Sequence, residues 1–301
     1  MIRAKTRRKD PTAAPPDLSH FRLREAPFAN GDRRFFYADP EREQSLNMLQ
    51  HLTQYSEELL LVTGPAGSGK TKLLEQFLER ADENWKVCRA DAGNSADPGE
   101  LFLHIAQCFG LEPDQSADGL LDALKQHLEQ LQTQQVPVLV VDDGQALTDD
   151  ALEIVVRLAE LEGEDGKLVR TILFAESAIL ERLATSRFAS VPQPHRLDLK
   201  PLDEAQTGAY IQHRLTAAGL AGSSPLTEKQ IKRIHKASGG WPGRINRYAH
   251  EALEERMRVE RPSRRPSATV LGLLALVLAL GAGGFVMRDE IGQWLGAGNP
   301  G

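Results

Sequence analysis

Residues 59–71 read LLLVTGPAGSGKT and match the pattern GxxxxGK[ST] from Gly64 to Thr71. An apolar run precedes the glycines and helically spaced apolar residues follow them, so that strand, glycine loop and helix come in the required order. Glycines leave backbone N–H groups free to surround phosphate oxygens, Lys70 reaches the β- and γ-phosphates, and the Thr71 hydroxyl binds Mg²⁺. The predicted nucleotide-binding residues are Gly64, Pro65, Ala66, Gly67, Ser68, Gly69, Lys70 and Thr71.

A second apolar run, VPVLVV at 136–141, ends in the two carboxylates Asp142 and Asp143. A carboxylate at the C-terminal end of a buried parallel strand lies beside the phosphate loop of such a protein. Asp142 is therefore predicted to hold Mg²⁺ through water, together with Thr71. The residue that follows ordinarily orients the attacking water, which makes Asp143 the candidate catalytic carboxylate.

Strand and helix patterns alternate from the phosphate loop to about residue 200. Further strands are predicted at 85–90, 168–175 and 195–199, with amphipathic helices between them. This alternation predicts an α/β fold with a parallel sheet covered on both faces by helices. After Pro201 the pattern is helical only, and TEKQ at 227–230 is a capping box, so that a small helical second domain is predicted.

Composition and charge set the frame for the function. The chain has 301 residues, of which 41% are hydrophobic and 26% charged, with a net charge of −6. That charge gives no overall electrostatic footprint for nucleic acid, so nucleic acid is not an expected partner. The cysteines are Cys88 and Cys108, without a CxxC motif or clustered histidines, and we interpret them as buried free thiols rather than as metal ligands.

The two termini differ from the rest of the chain. Residues 1–19 form a basic, proline-containing tail that we expect to be disordered. The 20 residues 268–287 carry no charge, which is enough for one transmembrane helix of about 30 Å. Arginines are frequent in and before the linker 259–267, whereas Arg288 alone follows in the tail 288–301. The positive-inside rule then predicts a bacterial inner-membrane protein with a cytoplasmic nucleotide-binding domain and a periplasmic C-terminus.

Aromatic residues between Phe21 and Tyr37 lie in a polar stretch. Two interpretations stay open for them. They seal the edge of the core, or one of them lines an adenine pocket, because nucleobases stack readily on aromatic rings.

Several segments together resemble the ExeA/GspA-type AAA+ ATPases of secretion pathways, and most closely their DamX-like branch. These are GPAGSGKT, VVDDGQAL, FAES at 174–177, YIQHRL at 210–215 and SGGWPGRIN at 238–246. The resemblance covers roughly residues 20–258. It implies an AAA+ core at 20–200 with a five-stranded parallel sheet, a helical lid at 201–258, ATP with Mg²⁺ at their junction, and self-association as a dimer or ring. DamX-like proteins often continue into a SPOR domain, and residues 288–301 contain none.

This chain departs from the family at two positions. The family tends to have Glu where this chain has Asp143, and an arginine, its sensor 2, where this chain has Gly243. Arg244 is an imperfect replacement, since it points about 100° further round a helix. Glu176 falls at the family's sensor 1 position, where it either supports Asp143 or ends a strand in solvent. Arg182 and Arg187 are candidates for an arginine finger by placement alone.

The expected function is that of a membrane-anchored AAA+ ATPase with slow hydrolysis, acting with division or secretion proteins of the cell envelope. One alternative is a nucleotide-binding scaffold without hydrolysis. A DNA-associated AAA+ ATPase is a more distant alternative, because a membrane helix suits it poorly.

Overall fold

The structure is a computed structural model that describes residues 23–29, 36–93, 97–111, 117–164, 166–188 and 192–260. The chain divides into two compact units, Met1–Glu254 and Glu255–Gly301. The predicted tail 1–19, transmembrane helix 268–287 and tail 288–301 lie outside the described residues, as does the linker beyond residue 260. Across the described ranges, no helix combines the length and the apolar character that a membrane span needs.

Helices and strands alternate through the first unit and give way to helices alone after residue 200, as predicted. The elements are α1 (Pro40–Tyr55), β1 (Leu60–Thr63), α2 (Lys70–Glu79), β2 (Trp85–Asp91), α3 (Pro98–Phe109), α4 (Ala117–Gln132), β3 (Val136–Asp142), α5 (Asp149–Ala159), β4 (Glu162–Gly163), β5 (Gly166–Lys167), β6 (Arg170–Ala175), α6 (Ile179–Leu183), β7 (His195–Asp198), α7 (Glu204–Ala217), α8 (Glu228–Ser238) and α9 (Pro242–Glu260).

The main sheet has five strands in the order β2-β3-β6-β1-β7, and every neighbouring pair is parallel. The predicted five-stranded parallel sheet is confirmed. Because β6 lies between β1 and β3, the end of β6 falls between the phosphate loop and the carboxylates that follow β3. The short antiparallel hairpin of β4 and β5 was not predicted from the sequence.

Both faces of the sheet are buried, which explains the continuous apolar runs of its strands. Successive residues of β1 point to opposite faces: Leu61 packs in one buried cluster with α3 and α5, whereas Leu60 and Val62 pack in another with α1 and α2. The phosphate loop therefore follows a strand that is packed against helices on both faces of the sheet.

Helices α7 to α9 enclose a separate hydrophobic cluster, which also takes in Leu23 and Phe28 from the N-terminal segment. The predicted capping box at Thr227 is present at the start of α8. Buried Arg214 on α7 donates from Nε to the Pro27 carbonyl at 2.6 Å. The N-terminal segment thus packs against the helices α7 to α9. We call these three helices the lid.

Candidate functional site

A cleft of about 450 Å³ lies where the phosphate loop, the ends of β3 and β6, and the lid meet. The predicted site residues Ala66, Gly67, Gly69, Lys70, Thr71, Asp143 and Glu176 line it. Ligand sites of open parallel sheets form at the carboxyl ends of the strands, and this cleft is in that place.

The phosphate loop is stabilised by two glycines in left-handed conformation and by hydrogen bonds from Lys70 to the loop backbone. Gly67 and Gly69 have φ angles of 76° and 101°, in the left-handed region that favours glycine. The ammonium group of Lys70 donates to the carbonyl oxygens of Gly64 at 2.9 Å and Pro65 at 3.3 Å. Burial lowers the pKa of Lys70, while the carboxylates of Glu176, Asp143 and Asp142 act in the opposite direction. Lys70 is therefore a buried cation facing a group of acidic side chains.

Asp142 and Thr71 lie side by side, as predicted. The Thr71 hydroxyl donates to Asp142 Oδ1 at 3.5 Å, and Arg89 donates to Oδ2 at 3.4 Å. Asp142 is 3% exposed, and its pKa is raised by burial and by the neighbouring carboxylate of Asp143. A buried carboxylate beside a hydroxyl and a second carboxylate is a hard oxygen donor set, which fits Mg²⁺.

Asp143 and Glu176 are joined through Gln145, a residue to which the sequence analysis assigned no role. Gln145 donates from Nε2 to Asp143 Oδ1 at 2.9 Å and accepts from the Glu176 backbone N–H at 2.9 Å. Asp143 also has a φ of 52°, in the sparsely populated left-handed region. The backbone conformation of Asp143 and the hydrogen bond from Gln145 together fix the position of its carboxylate. Glu176 is half-buried and lines the cleft, and its support of Asp143 stays a prediction.

Arg42 on α1 supports the phosphate loop from behind, and this contact was missed because a single arginine in an amphipathic helix carries no signal. It is 8% exposed and pairs with the buried carboxylate of Asp39. Its Nη2 donates to the carbonyl oxygens of Ser68 at 3.3 Å and Lys200 at 3.5 Å. One guanidinium therefore connects α1, the phosphate loop and the segment after β7.

Aromatic side chains also line the cleft. Phe36 and Tyr37 line it from the N-terminal segment, and Tyr210 from the lid. The Tyr37 and Tyr210 rings meet edge to face with centroids 5.7 Å apart, and the Tyr210 hydroxyl donates to Asn246 Oδ1 at 2.8 Å. Phe28 is thus part of the core, as the first interpretation expects, while Phe36 and Tyr37 line the cleft, and the adenine pocket stays a prediction.

The lid contacts the phosphate loop through two glycines. The Gly243 N–H donates to the Gly67 carbonyl at 2.8 Å, and a Cβ added at residue 243 would lie 2.9 Å from the Gly67 Cα. A side chain at 243 would therefore meet the backbone of the loop. Arg244 is exposed and is not among the residues that line the cleft.

The two arginine-finger candidates each form an ion pair with a carboxylate at the start of the helix α5. Arg182 contacts Asp149 at 2.7 Å, and Arg187 contacts Asp150 at 2.6 Å. Both guanidinium groups are thereby directed along the surface of their own domain.

The two cysteines lie together, although 20 residues separate them in the sequence. Cys88 is on β2 and Cys108 on α3, and His104, one turn before Cys108, lies beside them. A hydrogen bond with the Cys88 thiol lowers the pKa of Cys108 to about 6, and the same hydrogen bond together with burial raises the pKa of Cys88. Both cysteines are free thiols, as predicted, with Cys88 buried and Cys108 half-buried, but their proximity to each other and to His104 was not predicted.

Comparison with known proteins agrees with this fold. Residues 50–183 match a family described as an AAA domain. The chain is 28% identical over 240 residues to the general secretion pathway protein A of Aeromonas hydrophila, a match that covers 77% of this chain and 43% of that protein. The chain thus spans less than half the length of that relative.

Solved structures with a similar fold are more distant in sequence. Cdc6p from Pyrobaculum aerophilum has a TM-score of 0.57 at 19% identity, over 76% of this chain and 66% of that one. The Aeropyrum pernix Orc1 protein, solved in complex with DNA, has a TM-score of 0.56 at 19% identity, over 85% and 69%. At such identities the likeness concerns the fold alone. The chain carries an AAA-type P-loop nucleotide-binding fold, and in sequence it is related to general secretion pathway protein A.

Proposed function

We propose that this protein binds ATP with Mg²⁺ in the cleft and hydrolyses it slowly, as a membrane-anchored ATPase of an envelope secretion system. The observation that carries the proposal is the meeting of Lys70, Asp143 and Glu176 in one cleft below a lid, with the buried Asp142 directly beside it at Thr71. A buried ammonium group beside a glycine loop selects phosphate groups, and the carboxylates supply the remaining chemistry.

ATP would lie along the cleft with its triphosphate at the phosphate loop. Lys70 now donates to two loop carbonyls and would exchange them for the β- and γ-phosphate oxygens. Phe36, Tyr37 and Tyr210 would surround the base, since aromatic faces stack on nucleobases. The volume of about 450 Å³ is within the usual range for small-ligand sites.

Asp142 and Thr71 would hold Mg²⁺, which neutralises charge on the phosphates when bound. Charge neutralisation is needed here because three carboxylates face the phosphate position. The Arg89 guanidinium offsets part of the Asp142 charge from the other side.

Slow hydrolysis is proposed because of Asp143. Its carboxylate would orient the attacking water, but the side chain is one methylene shorter than the glutamate of the family. Gln145 holds it at 2.9 Å, so that the carboxylate is not free to move forward. A misplacement of about 1 Å can cost on the order of a hundredfold in rate. Glu176 lines the same region, and its side chain would assist in positioning the water.

The proposal is tested by measuring ATP binding and turnover separately. Lys70→Ala is expected to abolish tight ATP binding, because it removes the charge that meets the β- and γ-phosphates. The native chain should bind ATP in the presence of Mg²⁺ and turn it over more slowly than roughly 1 s⁻¹, the low end of typical enzymes. Asp143→Glu should raise turnover on the order of tenfold to a hundredfold.

Asp143→Asn is the matched control, because it keeps the shape of the side chain and removes its charge. It should leave ATP affinity within a factor of about two and lower turnover further than the native value. Turnover in none of the variants would favour the scaffold without hydrolysis. Fast native turnover that Asp143→Glu reduces would overturn the assignment of Asp143 as a poorly placed carboxylate.

The cellular setting of the proposal rests on the related protein and on the predicted helix 268–287. The relative is named for a general secretion pathway, which supports secretion proteins as partners of this chain. The inner membrane is proposed from the predicted helix, and self-association from the resemblance to AAA+ ATPases. The predicted membrane helix after the lid favours the DamX-like branch. A DNA-associated function is supported only by the similarity of the fold to that of proteins such as Aeropyrum pernix Orc1.

A further inference from the structure

The strand β2 and the helix α3 bring three metal-binding side chains together outside the nucleotide cleft. Cys88 comes from the strand, and His104 and Cys108 are four residues apart on one face of the helix. The two sulfur atoms and a ring nitrogen of His104 all lie within 4.8 Å of one another. The group is therefore a three-residue cluster with a shared centre, and none of the three residues lines the cleft.

A hydrogen bond fixes the orientation of the histidine. Its Nε2 lies 2.9 Å from the Arg89 carbonyl oxygen, and because a carbonyl only accepts, Nε2 carries the proton. In the neutral ring the lone pair is on Nδ1, which is the nitrogen that would bind a metal. Metal-bound histidines in proteins commonly use one ring nitrogen for the metal and donate the other to a backbone carbonyl in this way.

We propose that Cys88, His104 and Cys108 form a zinc site. Two sulfur ligands and one imidazole are a donor set that zinc prefers, with bond lengths of about 2.3 Å to sulfur and 2.0–2.1 Å to nitrogen. Tetrahedral geometry places sulfur atoms about 3.8 Å apart, so that a contraction of at most about 1 Å from the 4.8 Å limit brings the two sulfur atoms to that spacing. Zn²⁺ replaces the thiol protons, which pass to solvent.

The cluster supplies three protein ligands and leaves the fourth position of the metal to solvent. Cys88 is fully buried, Cys108 is half-buried and His104 is exposed, so the site is open to solvent on the helix side and water completes the coordination. β2 is an edge strand of the sheet, and α3 packs directly over it. A metal ion that joins them fastens the helix to a strand with a neighbour on one side only.

The site is tested on the full chain, purified in detergent with a phosphine reductant and freed of metal with a chelator. Cobalt is added as a spectroscopic substitute in the presence of excess Mg²⁺, which fills the oxygen site at Asp142. One equivalent of Co²⁺ should give a thiolate-to-cobalt charge-transfer absorption that Zn²⁺ removes. Zinc affinity follows from competition with a chromophoric chelator.

Cys108→Ser should abolish most of the absorption, and His104→Ala should raise the zinc Kd at least about tenfold. Both residues are partly or fully exposed, so these variants are expected to fold even where a change at buried Cys88 does not. Gln107→Ala, exposed on the same helix, is the matched control and should keep native affinity.

Three results would overturn the proposal. The first is a native chain that lacks the charge-transfer absorption, and the second is an unchanged absorption in Cys108→Ser. The third is an intact mass, measured without reductant, that is two hydrogens lower, because it shows a Cys88–Cys108 disulfide in place of metal binding. The test does not depend on ATP hydrolysis, so its outcome is independent of the proposed function.

Discussion

Gly243→Ala tests whether the lid rests on the phosphate loop through backbone contact. The added Cβ would lie 2.9 Å from the Gly67 Cα, whereas ordinary contact begins at 3.4 Å. The two backbones must therefore separate by about 0.5 Å. This movement lengthens the 2.8 Å hydrogen bond from the Gly243 N–H to the Gly67 carbonyl to beyond 3 Å.

Two opposing terms decide the effect on stability. Alanine in place of glycine favours a helix by about 0.5–1 kcal/mol. Loss of the hydrogen bond costs about 1 kcal/mol. The free energy of unfolding should therefore change by less than about 1 kcal/mol, while the displaced loop lowers ATP affinity. A loss of about 1 kcal/mol in binding corresponds to a Kd about fivefold higher.

Gly208→Ala on α7 is the matched control. A Cβ there would lie 3.6 Å from Ile231 Cγ2, which is ordinary contact. This variant should gain about 0.5–1 kcal/mol in the free energy of unfolding and leave the ATP Kd unchanged. Urea unfolding gives the first quantity and fluorescence titration with an ATP analogue the second. If Gly243→Ala shows the same gain as Gly208→Ala and native affinity, the lid does not rest on the loop as described.

Three further predictions concern the support of the cleft and the membrane. Arg42→Ala leaves the Asp39 carboxylate buried without its guanidinium, so the free energy of unfolding in urea should fall by about 3 kcal/mol; a loss below 1 kcal/mol would contradict this. Tyr210→Phe removes the hydrogen bond to Asn246 and should cost about 1 kcal/mol in the same assay, whereas Tyr55→Phe at an exposed site should cost nothing measurable. A reporter active only outside the cytoplasm should give signal when fused after Gly301 and none at Met1, and the reverse pattern would refute the predicted topology of 268–287.

The strands and the phosphate loop could be predicted because their signals are local. The runs before Gly64 and Asp142 are continuous in the sequence, and continuous apolar runs bounded by glycines or carboxylates indicate strands buried on both faces. The capping box at Thr227 likewise depends on residues within one turn of a helix. The proximity of Thr71 to Asp142 was predicted from two such local signals, because the phosphate loop and a carboxylate at the end of a parallel strand lie at the same edge of the sheet.

The order of the strands and the role of Gln145 could not be predicted in this way. β6 lies between β1 and β3 although it follows both in the chain, and this order alone brings Glu176 next to Asp143. Gln145 joins the two acidic residues with its side-chain amide. A lone glutamine after a strand has no distinctive sequence pattern.

The sequence by itself determined the class of fold and the phosphate-binding chemistry, because a glycine loop between a buried strand and a helix leaves little freedom in either. Only the tertiary structure decided which distant residues meet. In the sequence, Gly243 is a missing arginine, and only the structure shows its backbone against that of Gly67. Likewise, only the packing of α3 on β2 brings His104 and Cys108 beside Cys88. Such contacts depend on how helices pack on the sheet, and packing is set by the whole core rather than by neighbouring residues.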